Sequence, residues 1–144
     1  MKNATLEDAA DFINGFAFEP SHWNGAGKQI IRIQNLTDVS KPFNRTNFEP
    51  GERYIAQSGD LLVSWSATLG VFEWTGEDAL VNQHIFRVIP KHGIHKRFLR
   101  YAIDKALLDM ERHLHGATMK HVNRKEFLET PIYLARFAHF QSGS

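Results

Sequence analysis

Hydrophobic positions follow two different spacings, and the change falls near residue 90. Before it, short apolar runs alternate with turn signals. Residues 29–36 (QIIRIQNL) are β-branched and alternating, which predicts a strand. Residues 54–56 predict a short strand, and residues 58–60 (SGD) predict the turn before a strand at 61–65. Thr68, Leu69 and Gly70 break that run, and further strands are predicted at 71–74, 79–81 and 85–89, the last stopped by Pro90. The start of the chain reads differently. Residues 5–13 predict a short helix with Thr5 as its cap, two acids in its first turn and Asn14-Gly15 as its end. Residues 37–51, rich in Asn and Pro, read as a loop.

After residue 90 the spacing becomes three and four. Leu99, Ile103, Ala106, Leu107, Met110 and Leu114 mark one face of an amphipathic helix over residues 96–114. Lys96, Arg97, Arg100, Lys105 and Arg112 occupy its other face, and Gly116 is its expected stop. Asn123 caps a second short helix at 124–129, with Glu126 three residues later. Residues 130–134 predict a last strand, and 135–144 show neither period. The expected fold is α+β: a small curled β-sheet or barrel-like core with a basic amphipathic helix and short helices packed beside it. We expect a single domain over residues 1–134 and a short C-terminal tail at 135–144.

Composition narrows the chemistry. With 144 residues the chain has the size of one domain. It contains no cysteine, which excludes disulfides, thiolate catalysis and Cys-ligated metals. No apolar run reaches the roughly 18 residues of a membrane span, and no signal peptide opens the chain, so a cytoplasmic location is expected. The net charge of +1 is uninformative, but its distribution is not. Residues 1–90 carry 7 basic and 11 acidic side chains, whereas residues 91–125 carry 9 basic and 3 acidic. Such a local excess suits phosphates; the competing assignment is a solvated helix face.

Motifs for catalysis are missing. His92-x-x-His95 and His113-x-His115 lack a third ligand at a recognisable spacing, so no metal is expected. Asn24-Gly25-Ala26-Gly27 is a turn, not a phosphate loop, and no cofactor fingerprint is present. Neither Ser64 nor Ser66 stands in a nucleophile elbow. Trp65 and Trp74 lie on predicted strands and suit a core, whereas Trp23 lies in a loop. These readings predict a protein that is not an enzyme and carries no cofactor.

Several segments, in order, carry a resemblance: GFAF (15–18), IRIQNL (31–36), GDLLVS (59–64), VNQHIFRV (81–88), GATMKHV (116–122), then Phe127 and TPI (130–132). Together they resemble the target recognition domain of type I restriction–modification specificity subunits over residues 6–134. The resemblance implies a non-catalytic domain that reads one half of a bipartite double-stranded DNA sequence. In that family separate methylation subunits bind S-adenosylmethionine, and a motor–nuclease subunit cuts. A full specificity subunit has two such domains joined by long helices. Here PIYL (131–134) runs into ARFAHFQSGS without a heptad, so docking of methylation and restriction subunits is not expected, and the chain is expected to be a monomer or weak homodimer. The alternative function is a remnant or mobile protein-interaction or decoy module that no longer binds DNA tightly.

Candidate base readers are Asn35, Arg45, Trp65, Thr68, Asn82, Gln83 and His84, because Asn and Gln can pair adenine and Arg can pair guanine. Asn82 has a competing role as a strand-end cap. Candidate DNA-binding residues from the basic block are Thr118, Lys120, His121, Arg124 and Lys125.

Overall fold

Leu61, Leu62, Val63 and Ser64 are all buried, although a strand presents alternate residues to opposite faces. Both faces of that strand are therefore covered, and the architecture follows from what covers them. The computed structural model describes residues 3–65, 68–113 and 124–133.

Ten strands are placed among the described residues: β1 (Asn3–Thr5), β2 (Ala10–Asn14), β3 (Lys28–Ile31), β4 (Asn44–Thr46), β5 (Ile55–Ala56), β6 (Leu61–Ser64), β7 (Gly70–Glu73), β8 (Ala79–Val81), β9 (Ile85–Pro90) and β10 (Pro131–Tyr133). The helices are α1 (Leu6–Ala9), α2 (Ile33–Thr37), α3 (Lys96–His113) and α4 (Arg124–Leu128), with single 3-10 turns at Pro20–His22 and Glu52–Tyr54. One antiparallel sheet runs β2-β9-β6-β7; a second runs β4-β3-β8-β5, with β3 and β8 parallel; β1 and β10 form a two-stranded ribbon. The α+β expectation holds. The sheets stay open, with β2 and β7 as edges of one and β4 and β5 as edges of the other, so the core is not a closed barrel.

Leu61 and Val63 join Phe86 and Val88 of β9 in a core shared with Leu99 and Ile103 of α3 and Phe127 of α4. Leu62 and Ile85, on the opposite face, meet Ile31, Ala79 and Val81 of the second sheet. That sheet is covered in turn, where Ile30 and Leu80 pack under Phe18, Phe16 and Tyr54. The layers are thus helices, sheet, sheet and a cap of aromatic side chains.

Two elements depart from the sequence pattern. The first helix stops at Ala9, and Ala10–Asn14 form β2, antiparallel to β9. Ala10 and Phe12 are buried while Asp11 is exposed, so these residues satisfy a strand period as well as a helical one. β9 supplies the ladder that a helix there would forgo. The predicted strand at 29–36 ends at Ile31, where Asn35 accepts the Arg32 N–H at 3.0 Å and starts α2. The predicted loop at 37–51 also contains β4.

Gly15 links the two sheets. Its N–H donates to the Ile85 carbonyl at 2.9 Å and the next N–H, of Phe16, to Val81 at 2.8 Å. The segment therefore passes from a strand of one sheet to a strand of the other within a single step. The predicted helix stop at Gly15 is instead a crossing point.

Candidate nucleic-acid interface

The paired strand ends bring three connecting segments together, after β3, after β6 and between β8 and β9. Ser64 of β6 lies opposite Ile85 of β9, so the chain leaving β6 runs beside the chain entering β9. Trp65 N–H donates to the His84 carbonyl at 3.3 Å, and the two rings meet edge to face at 5.5 Å. Ile31 of β3 lies opposite Val81 of the parallel β8, so Arg32 and Asn82 leave the same end. Asn82 N–H donates to the Ile31 carbonyl at 3.1 Å, and Gln83 N–H to Phe16 at 2.9 Å.

This pins the Asn82–Gln83–His84 turn by its backbone and leaves Gln83 and His84 exposed. His84 adopts φ 69°, a left-handed conformation uncommon for a non-glycine residue. Thr68 is exposed on the neighbouring β6–β7 turn, where its carbonyl accepts the hydroxyl of buried Ser64. Trp65 stacks on Phe86 at 5.4 Å, and Phe86 stacks on Phe127 at 5.9 Å. The guanidinium of Arg124 lies 5.4 Å over Phe86, which brings the start of α4 to the same end. Lys125 is exposed beside it.

The other sequence candidates lie elsewhere. Asn35 is only 7% exposed. Besides accepting from Arg32, its amide donates to the carbonyls of Lys41 and Pro42 at 3.3 and 3.2 Å, so it holds its own loop together. Arg45 sits on β4 opposite Gln29 and donates to the Gly27 carbonyl at 3.0 Å. It borders a cleft of about 740 Å³ that also holds Lys28, Glu49, Glu77 and Asp78, a mixed charge set. Thr118, Lys120 and His121 lie outside the described residues, as does the tail 135–144.

The basic block is not uniform. Lys91 donates to the Glu7 carbonyl at 2.9 Å, and Lys96 donates to the Gly59 carbonyl at 2.9 Å with Glu73 at 3.5 Å. These two lysines tie α1 and the β5–β6 turn to the helical layer. Arg97, Arg100, Lys105 and Arg112 are exposed along α3. The Ser40 hydroxyl and N–H hold Asp38, on the loop after α2, below the usual carboxylate range. Among the described residues no cluster of His, Asp and Glu could hold a metal ion, and no helix is long and apolar enough to cross a membrane.

Sequence reasoning passed over one pair at this end. Arg32 lies 5.5 Å over the ring of Trp23, which is 40% exposed. Arg32 stands within the IRIQNL segment, but its chemistry is legible only once β3 is seen to end beside Asn82.

A two-sheet α+β domain with polar turns gathered at one end is the class defined by this geometry. The chain belongs to the type I restriction modification DNA specificity domain family, whose profile matches residues 1–136. It is 28% identical over 140 residues to the type I restriction enzyme EcoBI specificity subunit of Escherichia coli, covering 93% of this chain and 29% of that protein. The HsdS subunit of Thermoanaerobacter tengcongensis shares the fold with a TM-score of 0.64 at 18% identity, over 96% of this chain and 34% of that one. A chain from a structure on complex assembly and conformational transition of the type I R-M system matches at a TM-score of 0.63 and 18% identity, over 99% of this chain and 37% of that one. The chain thus spans about a third of the length of these relatives.

Proposed function

We propose that residues 1–134 read one half-site of double-stranded DNA as the recognition domain of a type I restriction–modification specificity subunit. The family match across nearly the whole chain carries this reading. The turns that hold Thr68, Gln83 and His84 supply exposed polar side chains for base edges. Arg124 and Lys125 supply positive charge for phosphates, together with Lys120 from the same basic block. Trp65 and Asn82 support those turns, and Asn35 and Arg45 act in the scaffold behind them. The domain recognises and does not catalyse; methylation and cleavage belong to partner subunits.

Two measurements on the purified chain test this. Fluorescence anisotropy with a random-sequence duplex should show affinity falling steeply between low and physiological salt. Selection from a random duplex pool should return one short half-site. Salt-independent failure to bind, together with no enriched sequence, would overturn the reading and favour an interaction module that has lost DNA binding.

A further inference from the structure

We infer that Arg32, whose guanidinium lies over the Trp23 ring, is a specificity-determining residue that reads a guanine in the major groove. The inference rests on the DNA-reading function proposed above and adds a residue to it. Arg32 follows β3, whose last carbonyl accepts the Asn82 N–H, so it emerges beside the turn that carries Gln83 and His84.

Three features meet in this arginine. Its backbone is fixed, because its N–H is accepted by Asn35, which is itself anchored to Lys41 and Pro42. Its guanidinium lies within cation–π range of the Trp23 ring. Its N–H edge, in contrast, meets no acceptor among the described residues. Arg45 and Arg87 differ on this last point: Arg45 donates to the Gly27 carbonyl, and Arg87 to Asp60 and the Arg53 carbonyl.

A guanidinium held over an aromatic ring keeps its N–H donors available for another acceptor and loses little freedom on binding. Those donors match the O6 and N7 acceptors of guanine. Trp23 is a positioning residue here, held by its N–H to Pro20 at 3.1 Å and by the following N–H, of Asn24, to Arg45 at 3.2 Å.

The test is duplex selection and anisotropy with the full chain in five forms: unchanged, Arg32→Lys, Arg32→Gln, Trp23→Phe and Trp23→Ala. The unchanged chain should select a half-site containing a G·C pair that Arg32→Lys reads at least about tenfold less strictly. Affinity for random duplex should stay within about twofold, because one positive charge is kept. Arg32→Gln should shift the preference at that pair toward adenine, the base a carboxamide pairs. Trp23→Phe should keep the preference, and Trp23→Ala should relax it at that pair alone. If Arg32→Lys and Arg32→Gln select the unchanged sequence with unchanged strictness, Arg32 only pins the Trp23 turn and the inference falls, while DNA reading by the domain stands. If the unchanged chain selects nothing, the inference falls, and salt-independent failure to bind duplex brings down DNA reading with it.

Discussion

A Cβ added to Gly15 would lie 1.8 Å from the carbonyl oxygen of Asn82. The two backbones touch where the chain crosses between sheets, and Phe16 forms a parallel bridge with Asn82. Gly15→Ala therefore has to push apart main chain rather than a flexible side chain. We expect a loss of about 3 kcal/mol, at the upper end of overpacking costs, and a melting temperature lower by roughly 6–12 °C. An unchanged melting temperature would mean that this crossing is looser than described.

Asn35 should behave as scaffold. Its side chain makes three hydrogen bonds in a buried setting. Asn35→Ala should destabilise by about 2–3 kcal/mol, near 1 kcal/mol for each hydrogen bond removed. The midpoint of urea unfolding reads this directly. A stability within about 0.5 kcal/mol of the parent would place Asn35 among surface positions instead.

How much of the fold and the site is legible in the sequence depends on length and on pairing. The helix over 96–114 is long enough for Leu99, Ile103, Ala106 and Leu107 to declare one face, and α3 buries those four residues. β6 and β8 read as nearly continuous apolar runs because both of their faces are covered. Residues 5–13 are ambiguous, since Leu6, Ala9, Ala10 and Phe12 fit either period over so short a span, and β9 decides between them. Among the site residues, the Asn82–His84 turn is recognisable from residue type. The partners of Asn35 and the stacking of Arg32 are not, because no periodicity brings Lys41, Pro42 or Trp23 to them. The left-handed φ of His84 is only weakly signalled by residue type, since histidine adopts it more often than most side chains but far less than glycine.

Trp65 offers a test of packing at the interface. Its indole N–H is buried without a partner among the described residues, while its ring stacks on Phe86. Trp65→Phe removes the unsatisfied donor and keeps an aromatic face, so stability should change by less than about 1 kcal/mol. Trp65→Ala should cost about 3 kcal/mol, because the stack through Phe86 to Phe127 loses its outer member. Equal losses in the two variants would show that the N–H does find an acceptor.

The basic block provides the last prediction, since its charges fall into two groups. Arg124 stacks over Phe86 at the loop end, whereas Lys96 is held by the Gly59 carbonyl and Glu73. If Arg124 and Lys125 meet phosphates, the Arg124→Ala, Lys125→Ala double variant should lower the slope of log affinity against log salt by about 2, one for each phosphate no longer neutralised. It should weaken binding to all duplexes alike and leave the selected sequence unchanged, because phosphates carry no base information. Lys96→Met removes one positive charge from the same block and serves as the control. Its ammonium is engaged with protein groups, so the expected result is a loss of about 1 kcal/mol in stability with the salt slope intact. Anisotropy titrations on random duplex at several salt concentrations separate the two. Equal slopes for the double variant and the parent would move the phosphate-binding surface away from α4, and a reduced slope for Lys96→Met would extend it to the start of α3.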